Sequence, residues 1–169
     1  WGQNLVRNFA ELGALAAVCD PNAELAKYYA DQYDVNNFSF DEIINDASID
    51  GVVLAVPAPL HASLAVEAMT AGKHVYVEKP LAMNQLEARK MIDTSKDHGV
   101  QLMDGHLLQY HPVFIAVRGL VTSGELGGLS YIYSNRLSFG KVRSEEDVIW
   151  SFAPHDISMI LSLTGQEPE

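Results

Sequence analysis

Four short apolar runs constrain the fold of this chain more than any other feature. They read ALAAVC, GVVLAV, HVYV and VQLM, at residues 14–19, 51–56, 74–77 and 100–103. None shows the sustained polar–apolar alternation of a strand with one solvent-exposed face, so each is typical of a strand covered on both sides. Amphipathic helical patterns separate the runs, and one of them begins at Asn84 with Glu87 three residues later, as in a capping box. Buried strands alternating with helices build right-handed βαβ units. The sequence therefore predicts an α/β fold with a parallel sheet.

The pattern changes where the last apolar run ends. Residues 114–122 have a helical pattern, residues 129–133 alternate as in a half-exposed strand, and a further helical pattern begins at about His155. So few elements do not close a core of their own. We therefore expect a first domain over residues 1–103 and the incomplete beginning of a second α/β domain over residues 104–169.

Composition excludes several classes of partner. The chain has 169 residues, 48% of them apolar, and a formal net charge of −11. Nucleic acid and anionic membranes bind basic surfaces, so neither is an expected partner. One cysteine, Cys19, cannot build a disulfide framework or a cysteine-based zinc site. No apolar run approaches the roughly 20 residues of a membrane span. We expect a cytoplasmic protein whose partner is a small molecule.

Several polar or rigid residues follow the ends of the predicted strands. In an open parallel sheet, ligands bind at the carboxyl ends of the strands. Because these ends share one edge, residues that are uninformative singly become a candidate site together. They are Asp20, Pro57, His61, Glu78, Lys79, His106 and Gln109.

Asp20 is a candidate ribose ligand. In dinucleotide-binding folds, a carboxylate about 20 residues after the phosphate loop binds the adenosine ribose. If Gly2 is the last glycine of a G-x-G-x-x-G loop, Asp20 is close to that spacing. A carboxylate there repels a 2′-phosphate, which favours NAD over NADP. The alternative is that Asp20 only caps the helix that follows.

Lys79 is a candidate for handling a proton. It lies in the triplet Glu78-Lys79-Pro80, directly after the strand VYV. A partly buried lysine at the ligand-binding edge polarises a hydroxyl or carbonyl group. By itself, however, the triplet is more typical of a solvated loop between a strand and a helix.

His155 is a second candidate. It lies in APHDISMIL, where it is suited to act as a general base with Asp156 orienting or charging it. A capping or core histidine fits the same pattern, and His61 has the same alternative as a helix-start residue. Histidine spacings typical of a metal site are absent, as is the G-x-S-x-G elbow of serine hydrolases. Neither a metal site nor a hydrolase is predicted.

Three longer stretches resemble the Gfo/Idh/MocA oxidoreductases. They are WGQNLVRNFAELGALAAVCDPN, AVPAPLHASLAVEAMTAGKHVYVEKPLA and APHDISMI. The E-K-P triplet, preceded by P-x-x-x-H and A-x-x-A-G-K-H-V, is a specific combination. Within the family, the sequence most resembles the nucleotide-sugar 3-dehydrogenases that act on UDP-linked N-acetyl-glucosaminuronate.

The resemblance implies a Rossmann-type, doubly wound domain that binds NAD, with NADP less favoured. A C-terminal α/β domain with a large open sheet would follow, and the family assembles into homo-oligomers through that sheet. The resemblance also implies that the chain starts within the phosphate loop, so that the first strand is missing. Two alternatives remain open: a regulatory module that binds NAD without catalysis, and an inactive fragment of such an enzyme.

The resemblance also implies roles for individual residues. The implied cofactor contacts are Trp1, Gly2, Gln3, Asp20, Val56, Pro57, His61, Glu78, Lys79 and Gln109. The implied substrate contacts are Lys79, Arg136, His155 and Asp156, with Arg136 facing an anionic group. His155, helped by Lys79, would take a proton from a sugar hydroxyl while hydride passes to the nicotinamide. Ser151 and Ser158 replace two aspartates of the family pattern D-x-G-x-H-x-x-D, which leaves the substrate open.

Overall fold

The computed structural model describes residues 2–137 and 148–167. It separates the chain into two compact units, Trp1–Asp104 (unit 1) and Gly105–Glu169 (unit 2). No described helix is long and apolar enough to cross a membrane.

Unit 1 alternates strands with helices, which confirms the predicted α/β class. A strand overlaps every predicted buried run, and His74–Val77 has the predicted bounds, whereas the last strand begins two residues later than predicted and ends at Asp104. A 3₁₀ turn, Ala58–Leu60, precedes the fourth helix. The elements are α1 (Gly2–Glu11), β1 (Ala17–Val18), α2 (Ala23–Tyr33), β2 (Asn36–Asn37), α3 (Phe40–Asn45), β3 (Gly51–Leu54), α4 (His61–Thr70), β4 (His74–Val77), α5 (Gln85–His98) and β5 (Leu102–Asp104).

The strands of unit 1 pair in parallel. β1 pairs with β2, and β3, β4 and β5 form a separate three-stranded sheet in that order. Leu54 lies opposite Val77, and Val77 lies opposite Asp104. Since all three strands run in the same direction, their carboxyl ends meet at one edge of the sheet.

The core of unit 1 lies between the three-stranded sheet and the helices α4 and α5. Both helices contact the sheet and each other. Small side chains on α4 allow this close approach, because Ala65 and Ala68 are fully buried. The strands contribute Val52, Leu54, Val75 and Val77 to the core, and the helices contribute Ala65, Ala68, Met69 and Met91.

Side-chain caps determine where two helices begin. Ser39 and Glu42 form a capping box at α3: Glu42 N donates to Ser39 Oγ at 3.2 Å, and Ser39 N donates to Glu42 Oε2 at 2.7 Å. The bond from Ser39 N, followed by a bond from the Ser39 hydroxyl to the same oxygen at 2.8 Å, lowers the pKa of the Glu42 carboxyl group. At α5, Glu87 N donates to Asn84 Oδ1 at 2.9 Å, as predicted. The Glu87 carboxylate accepts from Met83 N, one residue before the predicted partner.

Lys73 fastens the amino-terminal end of the sheet. It is 7% exposed and directly precedes β4. Its Nζ donates to the carbonyl oxygens of Asp46 at 2.6 Å and Ile49 at 2.7 Å, in the segment that leads into β3. These charge-assisted bonds compensate for burying the ammonium group. Lys73 therefore has a structural role, at the end of the sheet opposite the strand exits.

Unit 2 contains two longer helices in its described part. A 3₁₀ turn, Leu107–Tyr110, precedes α6 (Pro112–Thr122), and α7 (Val148–Thr164) contacts both. His111 caps α6, since its Nδ1 accepts from Val113 N at 3.3 Å, and Pro112 takes the first helical position.

The predicted strand around residues 129–133 is not found. Residues 129–137 form no regular strand, and the side chains of Leu129, Tyr131 and Tyr133 are exposed. A strand forms only when a neighbour satisfies its backbone groups. Among the described residues of unit 2, no strand is present to do so.

The helix expected from about His155 begins seven residues earlier, at Val148. The prediction was wrong because Pro154 reads as the first residue of a helix, a position that proline favours. In the structure, Pro154 lies inside α7. The apolar residues before it extend the helix, although proline has no N–H for an intrahelical hydrogen bond there.

Truncating Met91 to alanine should destabilise unit 1 by about 2–5 kcal/mol, because this fully buried side chain would leave a cavity. Leu86→Ala, on the same helix but 84% exposed, should change the free energy of unfolding by less than about 0.5 kcal/mol. Urea unfolding monitored by circular dichroism compares the two variants. Equal losses would contradict the assignment of the core.

Candidate functional site

The exits of β3 and β4 lie side by side. Leu54 and Val77 are paired, and Glu78 N donates to the Leu54 carbonyl oxygen at 2.9 Å, which extends the pairing by one residue. The pair Val56-Pro57 follows β3, and the pair Glu78-Lys79 follows β4. Two predicted parts of the site thus meet at the edge where parallel sheets bind ligands.

The residues around Lys79 are buried. Glu78 is 7% exposed, and its carboxylate accepts from Lys79 N at 3.2 Å and from the Tyr76 hydroxyl at 3.4 Å. Pro80 is also buried, and the peptide bond that joins it to Lys79 is cis. The Lys79 side chain itself is half-buried. These surroundings disfavour the alternative of a fully solvated loop.

His61 is buried beneath the two exits. Its ring is 1% exposed; Nδ1 lies 2.7 Å from the Pro80 carbonyl oxygen, and Nε2 lies 2.9 Å from the Val56 carbonyl oxygen. Both ring nitrogens are therefore occupied by backbone atoms. The side chain of His61 thus supports the two loops, and its place along the cofactor stays a prediction.

The start of α1 lies against the exit of β3. A Cβ built on Gly2 would lie 3.7 Å from the Cβ of Ala55, the first residue after β3. Gln3 Oε1 accepts from the Tyr29 hydroxyl of α2 at 3.1 Å. Because the first N–H groups of a helix have no partners within it, this end of α1 offers donors for an anion. Trp1, also predicted to contact the cofactor, lies outside the described residues.

Asp20 is exposed just beyond β1. Its Oδ1 accepts from Asn22 N at 2.8 Å. The cap of α2 is Asn22, which accepts from the backbone N–H groups of Glu24 and Leu25. The alternative that Asp20 caps this helix is therefore wrong. Burial, and then the negative charge of Asp20, raises the pKa of the Cys19 thiol beside it.

In unit 2, His155 lies on α7 against the 3₁₀ turn. It is 8% exposed, and its ring packs edge to face on the ring of His106, with centroids 6.0 Å apart and planes at 79°. Gln109, another predicted residue, belongs to the same turn and is half-buried. This arrangement excludes the helix-capping alternative for His155, since the residue lies inside α7.

Asp156 holds an ion pair with Arg136. Arg136 Nε donates to Oδ2 at 2.6 Å, Nη2 donates to Oδ1 at 3.3 Å, and Ser134 Oγ donates to Oδ1 at 2.6 Å. The bonds from Arg136, followed by that from Ser134 and nearby positive charge, lower the pKa of Asp156 although partial burial opposes this. The three side chains border an open groove of about 270 Å³, which Ile149, Phe152 and Ala153 also line.

This pairing was missed at the level of sequence. Residues 136 and 156 are 20 positions apart along the chain, and opposite charges at such a separation give no local signal. Arg136 was expected to face an anionic ligand, and Asp156 to serve His155 or the substrate. An anion that reaches Arg136 must share the guanidinium with Asp156. Among the described residues, no group of three or more histidine, cysteine or acidic side chains is arranged to hold a metal ion.

Comparison with known proteins gives these features a context. Residues 2–106 match the Gfo/Idh/MocA oxidoreductase family, described by its NAD-binding Rossmann fold. The chain is 34% identical, over 169 residues, to UDP-N-acetylglucosamine 3-dehydrogenase from Acidithiobacillus ferrooxidans. The aligned region covers 99% of this chain and 52% of that protein. A structure of that enzyme matches with a TM-score of 0.88, over 99% of this chain and 55% of the other.

Two further relatives differ in what they act on or bind. The WlbA dehydrogenase from Bordetella pertussis, solved with NADH and UDP-GlcNAcA, is 26% identical with a TM-score of 0.68, over 75% of this chain and 38% of its own. Inositol 2-dehydrogenase from Salmonella typhimurium is 29% identical over 119 residues, or 67% of this chain and 35% of that protein.

The parallel strands, their polar exits and the matched family define an oxidoreductase domain of the Rossmann type. The chain belongs to the Gfo/Idh/MocA oxidoreductase family. It spans about half the length of the first curated relative, 52%. The family resemblance stated from the sequence is confirmed.

The Arg136→Gln substitution should raise the pKa of Asp156 toward the ordinary value of about 3.9, because it removes the main cause of the lowering. The ion pair should accordingly stabilise the fold above about pH 3.9, and this contribution should disappear as the pH falls through the lowered pKa. The ¹³C shift of the Asp156 carboxyl group, titrated with acid, measures the change. Arg118→Gln in the same unit is the control, and an equal shift in both variants would contradict the ion pair.

Proposed function

We propose that unit 1 binds NAD along the carboxyl edge of its strands and that the whole protein oxidises a hydroxyl group of a sugar or nucleotide sugar. The observation that carries this proposal is the side-by-side placement of Val56-Pro57 and Glu78-Lys79 in a domain of an NAD-binding family. The named activities of the relatives, on UDP-N-acetylglucosamine and on inositol, support a polyhydroxylated substrate.

The residues present fit a dinucleotide. The first turn of α1 lies at the exit of β3 and would bind the pyrophosphate through backbone N–H groups. Asp20 is exposed and bonded only through Oδ1 in the described hydrogen bonds, so its carboxylate can accept from ribose hydroxyls. Its negative charge favours NAD over NADP. Val56 and Pro57 would line the path toward Lys79, and Gln109 is proposed for the nicotinamide pocket.

The proposed reaction converts an alcohol to a ketone. Bound NAD supplies the acceptor for the hydride that leaves the carbon of the substrate. His155 takes the hydroxyl proton and later releases it to solvent, while the Lys79 ammonium donates a hydrogen bond to the oxygen that becomes the carbonyl. Two electrons and one proton leave with the hydride, and the second proton leaves through His155. Arg136 and Asp156 are proposed to contact the substrate.

A nucleotide sugar is the favoured substrate class. A relative that matches 99% of this chain carries a nucleotide-sugar name, and WlbA was solved with a nucleotide sugar bound. Asp156 partly neutralises the charge of Arg136. A strongly anionic sugar group therefore gains less binding free energy there than it would beside an unpaired arginine. We therefore expect a neutral N-acetylated sugar to be oxidised in preference to its uronate. Assembly into homo-oligomers is proposed for the whole protein.

Lys79→Met and His155→Asn should each reduce turnover by about a hundredfold or more, because each removes a proton-handling group. NADH formation from NAD and UDP-N-acetylglucosamine, followed by absorbance, measures turnover. Matched controls are Lys90→Met and His98→Asn, which change exposed residues of the same types on α5.

Unchanged turnover in both site variants would contradict the proposed roles. Saturable NADH binding without turnover of any sugar or nucleotide sugar by the wild-type protein would instead indicate the regulatory alternative. Absence of both NADH binding and turnover in the wild-type chain would indicate that the chain is an inactive fragment.

A further inference from the structure

Both ring nitrogens of His61 contact hydrogen-bond acceptors. Nδ1 lies 2.7 Å from the Pro80 carbonyl oxygen and Nε2 lies 2.9 Å from the Val56 carbonyl oxygen. A backbone carbonyl cannot donate, and the residue is 1% exposed. Each nitrogen is therefore committed to an atom that can only accept a hydrogen bond.

This geometry specifies the proton content of the ring. A neutral imidazole carries one N–H group and one lone pair, whereas an imidazolium carries two N–H groups. In either neutral tautomer, one lone pair would face a carbonyl oxygen at less than 3 Å, and two acceptors repel one another. Burial opposes a charged ring, but two charge-assisted hydrogen bonds offset that cost. Only the imidazolium satisfies both contacts.

Two other histidines provide a contrast. His74 Nδ1 accepts from Gln101 N at 2.9 Å, and His111 Nδ1 accepts from Val113 N at 3.3 Å. A ring nitrogen that accepts from a backbone N–H group carries no proton. His61 differs from both, because each of its ring nitrogens faces a carbonyl oxygen and neither faces an N–H group.

We infer that His61 is a positioning residue, held as an imidazolium, which joins the exits of β3 and β4. Val56 leaves β3, and Pro80 directly follows Lys79. A rigid ring between their carbonyl oxygens determines how far apart the two loops lie. It therefore also determines the position of the Lys79 backbone, from which the side chain extends. The ionisable side chains of the joined segments are Glu78 and Lys79, and the Glu78 carboxylate is bonded to Lys79 N and the Tyr76 hydroxyl.

The proton content can be tested without any ligand. Long-range ¹H–¹⁵N correlation spectra of the imidazole rings, recorded on the wild-type chain at pH 7, distinguish protonated from unprotonated nitrogens. His61→Gln assigns the signals of this ring by their loss. We expect two protonated nitrogens in His61 and an unprotonated Nδ1 in His74 and His111. An unprotonated nitrogen in His61 would overturn the inference.

The positioning role is tested in the same spectra and in binding. His61→Gln should shift the backbone amide signals of both loops, at Val56 and at Lys79, because glutamine cannot span two acceptors with a planar ring. Glu67→Gln, at an exposed position on α4, is the control and should shift neither. Shifts confined to α4, or to only one of the loops, would overturn the role.

The consequence for the cofactor rests on the proposed function. His61→Gln should weaken NADH binding by about tenfold, the effect of losing one or two buried hydrogen bonds that hold the loops. If wild-type protein binds no NADH, the proposed function fails while the proton content remains decided by the spectra. If it binds NADH and His61→Gln binds equally well, the positioning role fails and the proposed function stands.

Discussion

The parallel pairing of β3 with β4 is the constraint on which the proposed site depends. Backbone hydrogen bonds place Leu54 opposite Val77, so the residues that follow these strands emerge together. Apolar side chains on both strands pack against α4 and α5, and the polar pair Glu78-Lys79 follows where β4 ends. His61 then ties the two exits through their carbonyl oxygens. Core packing and the geometry of the proposed site thus both follow from the register in which β3 pairs with β4.

Much of unit 1 follows from local sequence signals. The run at His74–Val77 is short, β-branched and bounded by Gly72 and Pro80, so its strand has the predicted ends. Asn84 and Glu87 mark the start of α5 as predicted. The strand ends also predicted the shared edge of Val56-Pro57 and Glu78-Lys79, since parallel strands have a common direction.

Other features depend on contacts between distant residues, which no local pattern contains. The sequence showed His61 at a helix start, but the two carbonyl oxygens that receive its ring belong to Val56 and Pro80 on different loops. The pairing of Arg136 with Asp156 is equally non-local. The alternation at residues 129–133 predicted a strand that the described structure lacks, because alternation indicates a possible face and cannot provide the neighbouring strand.

The central claim is that the common edge of the strand exits binds NAD. Titrating the ¹⁵N-labelled chain with NADH, while recording its amide spectrum, tests this claim most directly. The account predicts saturable shifts at the start of α1, at Asp20, at Val56 and at Lys79, with weaker binding of NADPH. Absence of saturable shifts, or shifts confined to the opposite end of the sheet around Lys73, would contradict it.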